Sequence, residues 1–182
     1  MGPEPKPEPE PEPALSFDPS PLDPPPTRDE TELLLGFLRR KRADVLRTTE
    51  DLTEEQARWT PPGRLLPIIG IVHHLTQVEW RWIDGLYLRD EVSRSEAEFH
   101  VGDERTLPDV VDAYRARQAR TESIVRSAPD LDVACTGGPD QPAPGGLDLR
   151  WTLVHLIEET AHHAGHADAT RELLDGTTEA TR

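Results

Sequence analysis

The sequence predicts an all-α protein in which four long helices form a four-helix bundle behind a disordered tail. Three observations predict this class. Apolar residues recur at three-to-four spacing in four blocks, helix-start signals stand ahead of several of them, and no stretch alternates with period two for long enough to be a convincing strand. Helices of about 20 to 27 residues, each with one apolar face, are typical of a four-helix bundle.

Residues 1–26 precede the first helix and have the composition of a tail. Eleven of the 19 prolines lie there, and the segment carries −5 of the formal net charge of −15. Alternating proline and glutamate favours extended polyproline II whose charges repel one another, and it buries nothing. We therefore expect a disordered Pro/Glu-rich tail at 1–26 and a single bundle domain at 27–178.

The first long helix opens with the capping box Thr27-Arg28-Asp29-Glu30 and runs to about Thr49. A second capping box, Thr53-Glu54-Glu55-Gln56, starts a short helical turn. Pro61-Pro62-Gly63 must end that turn, because proline lacks a backbone N–H and clashes with the preceding turn. The sequence thus predicts one long and one short helix before residue 64.

Three more long helices follow. The second spans about 68–88, the third begins after Thr106, and the fourth covers about 149–175 and stops at Gly176. The link between the second and third, 89–107, is longer than an antiparallel hairpin needs. It therefore predicts a crossover connection between helices 2 and 3.

The charge of the chain excludes several classes of partner. The remaining −10 lies on residues 27–182. A field of that sign repels phosphate backbones and anionic lipid headgroups. We therefore expect no nucleic-acid and no membrane partner, and neutral or cationic partners fit better.

Nothing in the sequence predicts a membrane span, a signal peptide or a disulfide. The longest apolar candidate, Leu65 to Leu75, is interrupted by Pro67 and Gly70, and the N-terminus lacks a basic start followed by an apolar run. The single cysteine, Cys135, excludes an internal disulfide and any Cys-rich zinc module. A soluble protein of the reducing cytoplasm is expected.

The histidines are the residues that carry chemistry. Six of the seven fall in two clusters, His73-His74 in the second long helix and His155 to His166 in the fourth, where they neighbour Glu158-Glu159. Imidazole and carboxylate are nitrogen and oxygen ligands of zinc and related ions. Glu159 and His163 stand four residues apart, on one face of a helix, so they can grip one ion while a facing helix completes the site.

A helical wheel narrows the choice of ligands. His74 borders the apolar stripe of its helix, whereas His73 faces solvent. In the fourth helix His163 and Glu159 lie nearest the stripe. The other histidines there lie farther round: His166 at the margin, then His155 and His162. The wheel prefers His74, Glu159 and His163, although neighbouring His and Glu are more often a solvated face than a metal site.

The fourth helix also carries the most specific motif. The run from Leu149-Arg150-Trp151 through Glu158-Glu159-Thr160-Ala161-His162-His163-Ala164-Gly165-His166 to Leu174-Asp175-Gly176 resembles the last helix of the DinB superfamily. More narrowly, it is similar to the actinobacterial branch of mycothiol-dependent transferases and maleylpyruvate isomerases. The second long helix matches at Gly70-Ile71-Val72-His73-His74-Leu75 and Val78-Glu79-Trp80-Arg81-Trp82. The resemblance covers about residues 28–176 and implies a DinB-like bundle.

In that family a divalent metal, commonly zinc, is held by one histidine of helix 2 and two residues four apart in helix 4, the first being glutamate in the mycothiol branch. The resemblance thus implies the ligands His74, Glu159 and His163, the trio that the wheel selects. It also implies mycothiol as the thiol co-substrate. His162 departs from the pattern, since arginine stands there in many relatives, so no role in gripping a substrate carboxylate is assigned to it.

The leading hypothesis is a divalent-metal-dependent thiol S-transferase or thiol-assisted isomerase acting on a small electrophile. Three protein ligands on zinc leave a fourth position open, where a thiol loses its proton. The catalytic residues stay unassigned, and Cys135 lies in a Gly/Pro loop without a basic cluster to activate it. The expected partners are the electrophile and the low-molecular-weight thiol, and a homodimer is left open.

Two alternatives stay open at this point. A metal-dependent hydrolase would hold water at the open position and need a general base, for which Glu158, His155 and His166 are the candidates. A non-catalytic metal-binding bundle would instead use the acidic tail to recruit a partner.

Overall fold

A computed structural model describes residues 24, 26–94, 98–138, 141–143 and 145–179. The helices are α1 (Glu30–Arg47), α2 (Glu54–Arg58), α3 (Ile68–Glu79) with a π-helical continuation (Trp80–Tyr87), α4 (Leu107–Ser127) and α5 (Leu149–Glu179). Strands β1 (Gly137–Gly138) and β2 (Gln141–Pro142) pair antiparallel in the link before α5. No helix in this described part of the chain is long and apolar enough to cross a bilayer.

Two apolar clusters fill the bundle and show how the helices run. The first joins the C-terminal halves of α1 and α5 to the N-terminal halves of α3 and α4, and its members include Val45, Ile71, Val110 and Ala164. The second joins the opposite halves, and its members include Leu35, Ile83, Val125 and Leu153. α1 and α5 therefore run one way and α3 and α4 the other, so the link 88–106 crosses the bundle. The all-α bundle and its predicted crossover are confirmed.

The helix ends differ from the sequence prediction in two places. α1 is capped by Asp29, whose side chain accepts from the backbone N–H of Glu32 at 3.1 Å, whereas Thr27 accepts from Asp29 itself. The predicted start at Thr27 is therefore wrong by two residues, because Asp29 is the stronger cap. α5 continues past Gly176 to Glu179, since Gly176 does not adopt the positive φ that ends a helix.

The predicted second long helix is continuous, but it changes from an α-helix to a π-helix after Glu79. After Glu79 its hydrogen bonds switch to the i→i+5 pattern, as in the bond from Leu88 N to Ile83 O at 3.0 Å. The spacing of apolar residues in the sequence does not predict these wider turns, in which each hydrogen bond spans five residues instead of four. The wider turns bury Asp84 against Arg117 of α4, 2.6 Å away, while Trp82 packs towards α5.

A buried polar layer lies between the two apolar clusters. Arg42 of α1 donates two hydrogen bonds to the carboxylate of Glu79, at 2.8 and 2.6 Å, and both side chains are almost fully buried. Thr121 of α4 donates to the same carboxylate at 2.7 Å. This layer ties α1, α3 and α4 together across the centre of the bundle.

Most of the predicted tail lies outside the described residues. Pro24 is described and sits against Gly36 of α1, where a Cβ on the glycine would lie only 2.7 Å from the proline ring. Contact with the bundle therefore begins before residue 27.

Candidate metal centre

The antiparallel packing of α3 and α5 places His74 opposite Glu159 and His163. Glu159 and His163 are four residues apart, so their side chains lie one above the other on the same face of α5. Both histidines are buried, whereas the Glu159 side chain keeps 31% of its surface exposed. The structure thus brings the three residues that the sequence selects to one edge of the core, where the Glu159 carboxylate is partly exposed to solvent.

Two distances within this trio are those between neighbouring ligands of a metal ion. Oε1 of Glu159 lies 3.5 Å from Nε2 of His74 and 3.4 Å from Nε2 of His163, and one ligand atom from each residue lies within 4.8 Å of the others. These contacts are longer than the usual 2.7–3.2 Å of an N–H···O hydrogen bond. Neighbouring ligands of a tetrahedral ion with bonds of about 2.0–2.2 Å stand about 3.3–3.6 Å apart. The arrangement can therefore hold a divalent ion.

The electrostatics leave the trio ready to bind a cation. Burial, reinforced by the nearby His74, lowers the pKa of His163 to about 4. Burial also lowers the pKa of His74. Burial raises the pKa of the Glu159 carboxyl, but His163 and His74 outweigh it and the net pKa falls below its usual value. At neutral pH the site offers two neutral imidazoles and one carboxylate.

Glu98 is a part of the site that the sequence does not reveal. Its buried carboxylate lies with Oε2 3.1 Å from Nδ1 of His74 and Oε1 2.6 Å from a guanidinium nitrogen of Arg81. The two atoms are close, but Nδ1 of His74 has no aligned hydrogen-bond partner among the described residues. A carboxylate at Nδ1 favours the proton there and leaves Nε2 free for a ligand bond.

Gly70 explains how the loop that carries Glu98 reaches α3. A Cβ at this position would lie 2.4 Å from the carbonyl oxygen of Phe99, so only glycine permits the approach. Phe99 then stacks on His74 with ring centroids 4.0 Å apart. A glycine within an apolar helix, one turn before His74, is the signal from which this close approach can be inferred.

The remaining histidines lie outside the trio. His73 is half-buried beside Arg105, whose Nη1 lies 3.2 Å from its Nδ1, rather than facing solvent freely. His155 packs on Trp82, with ring centroids 4.2 Å apart. The exposed His162 directly precedes His163 but lies on another side of α5, and the half-buried His166 follows one turn later.

Cys135 is buried in the second apolar cluster. Burial raises the pKa of its thiol, and Thr152 offsets this effect only in part. A protonated, enclosed thiol is a poor nucleophile. The geometry agrees with the expectation that this cysteine takes no part in the chemistry.

We expect the metal-free protein to lose stability as the pH falls from about 6.5 to about 4. The unfolded chain protonates His163 near its ordinary pKa of 6.5, whereas the folded chain resists until about 4. The free energy of unfolding should therefore drop, by on the order of 3 kcal/mol from this residue once the pH is below 4. Urea titrations of chelator-treated protein between pH 7 and pH 4 measure the drop.

His163→Gln provides the comparison, because the carboxylates of the protein also respond to acid. The variant should lose less stability over the same pH interval. Parallel pH profiles for the variant and the natural sequence would contradict the assignment.

Comparisons with known proteins agree with this architecture. A solved structure titled as the conserved protein of a locus from Enterococcus faecalis superposes with a TM-score of 0.59 at 20% identity, over 80% of this chain and 97% of that one, and it shows the shared fold. No curated protein matches the sequence at a significant level. The model of the family described as Mycothiol-S-transferase matches residues 33–176, which include His74, Glu159 and His163. The resemblance seen in the helix motifs is confirmed, and the chain belongs to the mycothiol S-transferase family.

Proposed function

We propose that this chain is a divalent-metal-dependent thiol S-transferase or thiol-assisted isomerase that joins mycothiol to a small electrophile in the cytoplasm. The observation that carries the proposal is the group of ligand atoms from His74, Glu159 and His163, all within 4.8 Å of one another. Membership of the mycothiol S-transferase family supports the identity of the thiol. The two nitrogen donors and one oxygen donor support zinc as the ion.

A divalent ion at the trio would supply one open coordination position and would stabilise a thiol there as its thiolate. The residues contribute one negative charge against two positive ones, so the thiolate brings the site to neutrality. Glu159 is the partly solvent-exposed member of the trio. Burial lowers the pKa values of His74 and His163, so both rings stay neutral and keep a lone pair for the ion. Phe99 covers His74 and keeps water from that side of the ring.

The sulfur has to come from outside the protein. Cys135 is the single cysteine, and it is buried against α5 with its thiol 3.5 Å from the hydroxyl of Thr152. Burial raises the pKa of that thiol, which favours the unreactive protonated form. An external thiol is therefore the nucleophile that the site can use.

We expect mycothiol, added to cobalt-substituted protein, to produce a sulfur-to-metal charge-transfer band in the near-ultraviolet. The band should vanish in Glu159→Ala, because the site loses a ligand, and persist in Cys135→Ser, because the protein does not supply the sulfur. Absorption spectroscopy measures the band, and conjugation of the thiol to an electrophile should stop on chelation and return with zinc.

The same experiment distinguishes the thiol transferase from the metal-dependent hydrolase. If the thiol leaves the cobalt spectrum unchanged while ester or amide cleavage depends on the metal, the transferase proposal is wrong. If neither reaction occurs but stoichiometric metal is bound, the non-catalytic bundle replaces both enzymes.

Glu98→Ala is expected to weaken zinc affinity by roughly 10- to 100-fold, since the carboxylate no longer orients His74 through Nδ1. Competition with a chromophoric chelator measures the dissociation constant. Glu91→Ala, an exposed position on the same loop, is the matched control and should leave the affinity unchanged. Equal affinities for Glu98→Ala and the control would show that Glu98 does not act on the site.

A further inference from the structure

Three aromatic rings lie together at the protein surface, next to the candidate metal centre along α5. Trp82, Trp151 and His155 lie with ring centroids 5.4, 4.2 and 5.3 Å apart, and the rings of Trp151 and His155 are nearly parallel, at 13°. Trp151 keeps 44% of its surface exposed, and the other two are half-buried. We call this group the aromatic platform.

The platform continues the face of α5 that carries the metal ligands. Trp151, His155, Glu159 and His163 follow one another at intervals of four residues, so they form one row that turns by about 40° around the helix at each step. At 1.5 Å per residue, His155 lies about 6 Å and Trp151 about 12 Å from Glu159 along the axis. The platform therefore lies within about 6–12 Å of Glu159 along the axis of α5.

Packing does not account for the platform. Trp82 contributes to the second apolar cluster, but Trp151 leaves almost half of a large ring system in solvent. Aromatic faces bind other flat rings in offset stacks, and stacking on a single ring is worth about 1–3 kcal/mol in other proteins. The exposed face of Trp151 is available for such a contact.

The charges around the platform disfavour an anionic ligand. Arg150, next to Trp151, is held by Glu30 at 2.6 Å and by Asp132, so its charge is already neutralised. Glu158, about one turn after His155 on the same helix, is exposed, and the chain carries −15 overall. An anionic ring would be repelled, whereas a neutral one would not.

We propose that the aromatic platform is the electrophile subsite, and that it selects planar aromatic electrophiles that carry no negative charge. The inference rests on the proposed thiol transferase function and adds the class of second substrate. With an aryl halide, the sulfur–carbon bond forms and the carbon–halogen bond breaks. The halide leaves with the bonding pair, and the proton of the thiol passes to solvent.

A binding experiment tests the platform without any reaction. Full-length protein is titrated with 1,3-dinitrobenzene, a neutral planar ring without a leaving group, by equilibrium dialysis. Trp151→Leu should weaken binding by about 10-fold, while Phe37→Leu, an aromatic of similar exposure on α1, should not change it. Equal binding by the Trp151 variant and the natural sequence overturns the inference.

A kinetic experiment separates this inference from the proposed function. With mycothiol and zinc-loaded protein, Trp151→Leu should lower kcat/KM for 1-chloro-2,4-dinitrobenzene by about 10-fold and leave kcat/KM for iodoacetamide within about 2-fold. Equal losses for both electrophiles overturn the subsite. If neither electrophile reacts with the natural protein, the proposed function fails, and the dialysis result still decides whether the platform binds flat rings.

A second copy of the chain could also cover an exposed aromatic surface. Analytical sedimentation distinguishes such a dimer from a ligand-binding surface. The inference expects Trp151→Leu to sediment as the natural protein does. A dimer that Trp151→Leu converts to monomer would assign the platform to an interface between copies and overturn the subsite.

Discussion

Replacing His163 by alanine is expected to abolish stoichiometric binding of a divalent ion, and replacing His74 should do the same. Each change removes one of three ligand atoms that lie within 4.8 Å of one another on facing helices. Loss of a direct ligand should weaken affinity more than the roughly 10- to 100-fold cost of losing a residue that only orients one. Elemental analysis after gel filtration measures the metal per chain.

The neighbouring histidines are the matched controls for this result. His73→Ala should retain the ion, since His73 points to Arg105, and His155→Ala should retain it because that ring packs on Trp82. Full occupancy in His163→Ala would refute the assignment. Loss of the ion in His166→Ala alone would instead give the site to the residue seven positions after Glu159.

Much of the fold can be predicted because its signals are local. Thr53 forms the predicted capping box, α4 begins directly after Thr106 as expected, and α3 begins at Ile68, directly after Pro67. The crossover follows from the length of one link. Helix ends are less certain, since Gly176 would end a helix only with a positive φ that it does not adopt.

Glu159 and His163 can be paired from the sequence because four-residue spacing on a helix is a local property, and His74 can be added because its place on the helical wheel borders the core. Glu98 cannot, since its contact with His74 spans 24 residues and depends on a loop that passes over Gly70. The loop shows no periodicity from which its path follows. Position in a fold, not residue type, makes this carboxylate part of the site.

The buried polar layer is a second feature that the spacing of apolar and charged residues does not predict. Arg42 lies in the run Arg39-Arg40-Lys41-Arg42, which has the composition of a solvated face, yet its side chain is only 1% exposed. Its partner Glu79 stands 37 residues away on α3. A charge in a core is tolerated only where a partner of opposite charge meets it, and the sequence does not show which residues meet.

We expect Glu79→Ala to lower the free energy of unfolding by about 3–5 kcal/mol, the range measured when one member of a buried ion pair is removed. The guanidinium of Arg42 would lose two of its three hydrogen bonds to side chains and keep only the 3.3 Å contact to Glu122. Thr121 would lose its acceptor as well. For a domain of this size the melting temperature should fall by about 6–20 °C, measured by calorimetry on chelator-treated protein.

Two further variants show whether the unpaired charge causes the loss. Asp112→Ala breaks an exposed pair with Arg115 and should cost less than about 1 kcal/mol, because water already screens both charges. Combining Arg42→Met with Glu79→Leu should recover most of the stability, since neither charge then remains in the core. A loss below about 1 kcal/mol in Glu79→Ala would mean that water enters the layer and solvates Arg42. If the double variant is as unstable as Glu79→Ala, packing rather than charge governs the layer, and the bundle depends on the shape of these side chains.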